Sequence, residues 1–200
     1  MSTAVPYGNV YDKYSSRHPL EALLVRHHLR VLSDLMRRAA PARVLEVGCG
    51  DAALARRLVS EVLPRGTRYL ATDLSATELD RQGDRRVSRA AMDAGCLGLR
   101  DRAIDLVLAF EVLEHLDRPE AALVEAARVA RGHVIVSVPW EPLWRLGNLA
   151  RGRYWRELGN TPGHVQHFNR RRIRALVSRH LEIVELRQPL PWTVILARVR

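Results

Sequence analysis

Compact apolar runs alternate along this chain with longer stretches whose apolar residues recur at helical spacing. The runs fall at about 43–47, 68–72, 86–90, 104–109 and 132–138 and read as strands. Between them, 52–63, 75–82 and 119–130 read as helices, with Pro64-Arg65-Gly66 and Arg118-Pro119 as punctuation. Upstream, Leu20, Leu23, Leu24, Leu29, Leu32, Leu35 and Met36 lie at near-helical spacing between Pro19 and Ala40, and Pro41 ends that helix. Strands alternating with helices predict a parallel sheet with right-handed crossovers. Ligands then bind outside the carboxyl ends of the strands. Residues 140–168 break the pattern and read as irregular, rich in Trp, Arg, Gly and Asn; a helix at 169–179 and strands at 181–187 and 192–199 follow.

One turn carries most of the chemistry. Val44-Leu45-Glu46-Val47 runs into Gly48-Cys49-Gly50-Asp51-Ala52, and a second strand ends at Asp73. Glycines at 48 and 50 let the backbone take positive φ and press against a ligand. A carboxylate at the end of the next strand suits a ribose. A diphosphate needs bare N–H groups at the helix start. Here Glu46 and Asp51 flank the turn instead, and Ala53 stands where the dinucleotide pattern has its third glycine. Two carboxylates suit a cationic ligand better than a diphosphate. A purely structural tight turn is the bland alternative for this fragment taken alone.

The ordered segments resemble the class I S-adenosylmethionine-dependent methyltransferases, of the type 11/12-like kind found among small bacterial biosynthetic enzymes. The resemblance rests on Glu46-Val47-Gly48-Cys49-Gly50-Asp51-Ala52, on Thr72-Asp73-Leu74-Ser75, on Ala91-Met92-Asp93-Ala94, on Ile104-Asp105-Leu106-Val107-Leu108 and on Phe110-Glu111-Val112-Leu113-Glu114-His115-Leu116. It spans residues 40 to 139 well and the rest loosely. It implies an α/β fold: a single Rossmann-like domain with a central, mostly parallel seven-stranded sheet flanked by helices, closed by an antiparallel edge at the C-terminus. Within it, 1–40 would form an N-terminal cap and helix, 41–139 the cofactor-binding core, 140–168 an acceptor-side insertion and 169–200 the closing helix and strands. It further implies S-adenosylmethionine as cofactor and S-adenosylhomocysteine as product. The residues placed against the cofactor are Glu46, Gly48, Cys49, Gly50, Asp73, Leu74, Asp93, Ala94, Phe110 and Glu111, with Tyr14 of the N-terminal aromatic segment as part of a lid.

Methyl transfer to an oxygen or nitrogen needs an aligned acceptor and a place for its proton. His115, His164 and His167 lie on the segments expected to face the methyl group and are the candidate bases. Glu111, Glu114 and His115 at i, i+3 and i+4 would share one helical face. With His164 or His167 they would form a divalent-metal site. That arrangement resembles two metal-using methyltransferase groups, the small-RNA 3′-end 2′-O-methyltransferases and the ubiquinone-pathway O-methyltransferases. The alternative is a metal-free site in which Glu111 borders the cofactor while Glu114 and His115 support the turn. His27, His28, His133 and His180 read as surface or strand-edge residues without a role.

Composition changes the picture little. The net charge is +10, which invites a nucleic-acid partner. Lys13, however, is the only lysine among 32 basic residues, a bias that genome composition also produces. Arg145, Arg151, Arg153 and Arg156 interleave with Trp144, Tyr154 and Trp155, which suits a ring-bearing or lipid-linked, anionic acceptor. Two cysteines, no bilayer-length apolar run and a polar start predict a cytoplasmic protein with reduced thiols. The leading expectation is a biosynthetic methyltransferase acting on a small or lipid- or phosphate-linked acceptor. An RNA 2′-O-methyltransferase and a non-catalytic cofactor-binding partner are the alternatives.

Overall fold

The structure is a computed structural model and describes residues 19–75 and 86–200. Tyr14 falls outside the described residues, as does nearly all of the helix expected at 75–82. The elements, in chain order, are α1 (Pro19–Ala39), β1 (Arg43–Val47), α2 (Ala53–Glu61), β2 (Arg68–Asp73), β3 (Val87–Ala91), β4 (Ile104–Phe110), α3 (Pro119–Val129), β5 (Ala130–Pro139), α4 (Glu141–Ala150), α5 (Arg170–His180), β6 (Glu182–Arg187) and β7 (Trp192–Arg198). They build one seven-stranded sheet in the order β3-β2-β1-β4-β5-β7-β6. β1 to β5 run parallel, and β7 enters antiparallel between β5 and β6.

The period-two alternation of the strands sorts their side chains into two cores. On one face Val44, Leu106, Leu108, Val194 and Leu196 pack with Leu32, Leu35 and Met36 of α1 and Leu54, Ala55 and Leu58 of α2. On the other face Leu45, Val107, Val134, Val136 and Ile195 pack with Leu123 and Ala126 of α3 and Ile173 and Val177 of α5. Helices on both faces leave the strand ends as the place for a crevice.

The expectation of an irregular segment over 140–168 is corrected by α4, which occupies its first third. Pro142 sits in the first turn, where the missing N–H leaves no intrahelical bond unmade. Trp144 and Asn148 tie the helix down: the Trp144 indole N–H donates to Thr161 Oγ1 at 2.9 Å, and the Asn148 amide donates to the Gly159 carbonyl at 2.9 Å. α5 starts at a sequence-legible cap, where Asn169 Oδ1 accepts from the Arg172 N–H at 2.8 Å.

Asp105 shows why an acid introduces β4. Its Oδ2 accepts the backbone N–H groups of Ala42 and Arg43, each at 2.9 Å, and its carboxylate pairs with Arg131. It therefore pins the start of β1 to β4 and β5 at the amino end of the sheet, away from the crevice. Removing a charged acceptor from two backbone donors costs about 1–3 kcal/mol. Asp105→Ala should lower urea-unfolding stability by about that much and leave ligand affinity at the opposite strand ends unchanged. Unchanged stability, or a loss of affinity, would show that Asp105 does not do this.

Candidate functional site at the strand carboxyl ends

After β1 the chain turns through three left-handed residues in alternation: Gly48 at φ 66°, Gly50 at φ 53° and Ala52 at φ 58°. Sequence reasoning placed the two glycines but missed Ala52. A β-carbon on Gly48 would lie 2.4 Å from a Val112 methyl, so this glycine is required by the segment that follows β4. The Cys49 N–H donates to the Thr72 carbonyl at 2.9 Å, which locks the turn to the end of β2.

Asp73 gathers the backbone around it. Its Oδ2 accepts the Gly50 N–H at 2.8 Å and its Oδ1 accepts the Ser75 N–H at 3.0 Å. Both oxygens are thereby oriented, and each keeps a second lone pair for a further donor. The Met92 N–H donates to the Asp73 carbonyl at 3.0 Å, so the Met92-Asp93-Ala94 loop sits alongside. Asp93 is exposed, and its Oδ1 accepts the Gly95 N–H at 2.7 Å. Leu74 is exposed and Ala94 half-buried in the same region. Phe110 is buried at the end of β4.

Glu46 lies buried beneath the turn and accepts the Tyr69 hydroxyl at 2.8 Å. Burial pushes its carboxyl up to about 8; the Tyr69 hydrogen bond opposes this, and the charges of Asp51 and Asp73 add to the rise. A carboxyl raised that far is mostly protonated near neutral pH, so it is Asp51 and Asp73 that favour a cation at the turn. Cys49 contributes its backbone alone. Its thiol is buried, directed at the Gly50 carbonyl, and pushed far above the usual range by burial, which makes it a poor nucleophile.

The expected convergence of Glu111 with Glu114 and His115 does not occur. Glu111 adopts φ 52° and its Oε1 accepts the Trp192 indole N–H at 2.6 Å. A shared i, i+3, i+4 face needs a continuous helix, but the left-handed residue breaks it. Only a short 3-10 turn, Leu113–His115, follows. What converges instead is Glu114, His115 and His164, with one ligand atom of each lying within 4.8 Å of the others. Glu114 is fully buried, and its carbonyl accepts the Val165 and Gln166 N–H groups, at 2.9 and 3.0 Å, which draws the two loops together. His115 Nδ1 donates to the Gly163 carbonyl at 2.9 Å, and His164 Nδ1 donates to Glu141 Oε1 at 2.7 Å. These partners place the neutral proton on Nδ1 and make Nε2 the lone-pair nitrogen of both rings. The two rings meet edge to face, centroids 4.9 Å apart.

His167 does not join them; its Nε2 pairs with Asn160 Oδ1 at 3.0 Å. His28, expected on the surface, is corrected to a buried residue. It bonds Ser137 Oγ through Nε2 at 2.9 Å and stacks on Trp192 at 4.4 Å. Tyr69, Glu141 and Trp192 were missed, because each acts by holding a site residue from a distant part of the chain. Only Glu141, the acid opening α4, had a local signal.

The buried Glu46 carboxyl makes a stability prediction. Its folded value lies above its unfolded one, so the folded state holds its proton longer and loses relative stability as pH rises from about 4.5 to about 8. Glu46→Gln, which keeps an acceptor for Tyr69, should match the parent near pH 4.5 and become progressively more stable than it toward pH 8. Parallel urea midpoints across that range would overturn the assignment.

Comparisons with known proteins bear on the fold and the family. A family profile described as a methyltransferase domain matches residues 18–185. An uncharacterised 37.1 kDa protein encoded in a transposon of Streptomyces fradiae is 31% identical over 127 residues, covering 59% of this chain and 36% of that protein. The chain thus spans about a third of the length of that relative. The PH0226 protein of Pyrococcus horikoshii superposes with a TM-score of 0.69 at 14% identity, covering 96% of this chain and 97% of the other. Magnesium protoporphyrin IX methyltransferase of Synechocystis, solved with bound S-adenosylhomocysteine, superposes with a TM-score of 0.64 at 16% identity, covering 94% and 91%. A methyltransferase-fold protein of Haloferax volcanii, solved with the Trm112 activator, gives 0.64 at 13% identity, covering 92% and 97%. The folds are those of S-adenosylmethionine-dependent methyltransferases, and the chain belongs to the methyltransferase domain family.

Proposed function

We propose that this protein moves a methyl group from S-adenosylmethionine to an oxygen or nitrogen of a small-molecule or lipid- or phosphate-linked acceptor in biosynthesis. The single observation that carries this reading is the convergence of Glu114, His115 and His164 beside the Gly48–Val112 contact. That contact joins the turn expected to hold the cofactor to the segment expected to handle the acceptor's proton. The bound cofactor supplies an electrophilic methyl group on a sulfonium. The chain's own part is to hold it and to align the nucleophile. The backbone of Gly48, Cys49 and Gly50 leaves room for its amino-acid end, the charges of Asp51 and Asp73 favour its cationic character, and Glu46 supports the turn from beneath through Tyr69. Asp73 would accept the ribose hydroxyls, Asp93 would lie near the adenine amine, and Leu74, Ala94, Phe110 and Glu111 would border the cofactor. His115 and His164, with Nε2 as the lone-pair nitrogen, would take the proton from an acceptor O–H or N–H.

The same donor set fits a divalent cation. Two imidazoles with their Nδ1 protons anchored, plus one buried carboxylate, are a suitable ligand set, and Glu141 and the Gly163 carbonyl are outer partners of the kind that orient ligating histidines. A bound cation would supply Lewis acidity that lowers the acceptor's pKa. A cytoplasmic setting belongs to this reading, supported by Cys49 and Cys96 as free thiols.

Calorimetric titration tests the cofactor site: Asp73→Ala should weaken S-adenosylhomocysteine binding about ten- to a hundredfold, the equivalent of losing one charged hydrogen-bond acceptor. Equal affinity would remove Asp73 from the ribose. For the proton-handling cluster, labelled S-adenosylmethionine is screened against extract fractions to find an acceptor. His164→Ala should then lower turnover about 10²–10⁴-fold with cofactor affinity within about twofold. Cobalt(II) absorption in the parent, lost in that variant, distinguishes a metal site from a metal-free base.

A further inference from the structure

Trp155 was expected to line the acceptor pocket, yet it is 65% exposed, and Leu146 and Leu158 of the same segment are 61% and 68% exposed. The inward side of this insertion is held by Trp144, whose ring meets Trp192 at 5.7 Å, and by Asn148. The apolar residues named first are therefore on its outer side. Leu158 also holds a left-handed backbone, φ 49°, which a leucine adopts at a cost and from which it gains no burial. Arg145 Nε donates to the Leu158 carbonyl at 3.0 Å, keeping that outward tip beside α4.

The start of α1 adds to the same end of the molecule. The Arg151 guanidinium lies 3.7 Å from the Glu21 carboxylate, and Leu20 and Leu23 beside Glu21 are 59% and 52% exposed. Half of the large hydrophobic residues exposed among the described residues thus fall on these two segments. Basic side chains outnumber acidic ones on the same two segments: Arg145, Arg151, Arg153 and Arg156 on the insertion and Arg26 and Arg30 on α1, against exposed Glu157 and the Glu21 that pairs with Arg151. Leucine and tryptophan tips within a field of arginines match a lipid headgroup boundary, where the apolar tips enter and the guanidinium groups meet anionic heads. A nucleic-acid surface would need the arginines but not the outward leucines.

We propose that the outer side of the 140–158 segment, with the first turns of α1, docks on an anionic membrane surface and sets the mouth of the crevice against the bilayer. This deepens the reading of a lipid-linked acceptor, but it is a statement about binding and stands apart from turnover.

The test is co-sedimentation of the purified protein with vesicles of phosphatidylcholine alone and of phosphatidylcholine mixed with phosphatidylglycerol. The protein should partition onto the anionic vesicles at low ionic strength, at least about tenfold better than onto neutral ones, and should weaken in about 1 M salt. Trp155→Ser and Leu158→Ser should each reduce partition about tenfold, and Arg156→Gln about fivefold. S-adenosylhomocysteine affinity and the thermal midpoint should stay at parent values, which separates lost docking from lost folding. No partition onto anionic vesicles, or variants that partition like the parent, would overturn the proposal. So would binding of a single-stranded RNA oligomer, weakened by the same variants, in the absence of vesicle binding. Cofactor binding without vesicle binding would sink this inference alone; vesicle binding without cofactor binding would sink the methyl-transfer reading alone.

Discussion

Gly48 and Val112 come so close that a β-carbon on residue 48 would lie 2.4 Å from a valine methyl. A side chain there would lift the segment after β4 off the turn after β1. Both halves of the site hang on this approach. On one side the turn presents the backbone of Gly50 to Asp73. On the other, the left-handed Glu111 reaches Trp192 while the 3-10 turn beyond it carries Glu114 and His115 toward His164. The left-handed geometry of Gly48 itself, φ 66°, makes the position doubly demanding.

The electrostatics around that contact are arranged in two compartments. Asp51 and Asp73 supply negative charge at the turn, while burial raises the Glu46 carboxyl and keeps it mostly protonated near neutral pH. The second compartment holds one buried carboxylate against two imidazoles, each oriented by an acceptor on its Nδ1. The first compartment favours a cation that arrives with the ligand. The second offers lone pairs to a proton or a metal.

Much of this was legible in the residues. Compact apolar runs marked the strands, and Gly48, Gly50 and Asp73 could be placed at strand carboxyl ends, because each of these rests on local geometry. The illegible parts depend on tertiary contact. No pattern in Phe110-Glu111-Val112 announces that Glu111 turns left-handed to meet a tryptophan far along the chain. The Trp, Arg, Gly and Asn content of 140–168 suggested irregular backbone, but its first third is a helix in which Trp144 and Asn148 find partners at Thr161 and Gly159. His28 looked like a surface residue on a leucine-rich helix, and only the sheet's far side shows what it packs against.

The insertion of β7 between β5 and β6 has a consequence for the order in which the molecule takes shape. β5 is complete well before Trp192 emerges in synthesis, yet its outer edge waits for that later strand. Until β7 pairs, Glu111 lacks the indole that fixes it and His28 lacks its stacking partner. The Glu111 side of the crevice therefore depends on a strand from the end of the chain, one that also completes the core under α1, so closing the sheet and fixing Glu111 are coupled.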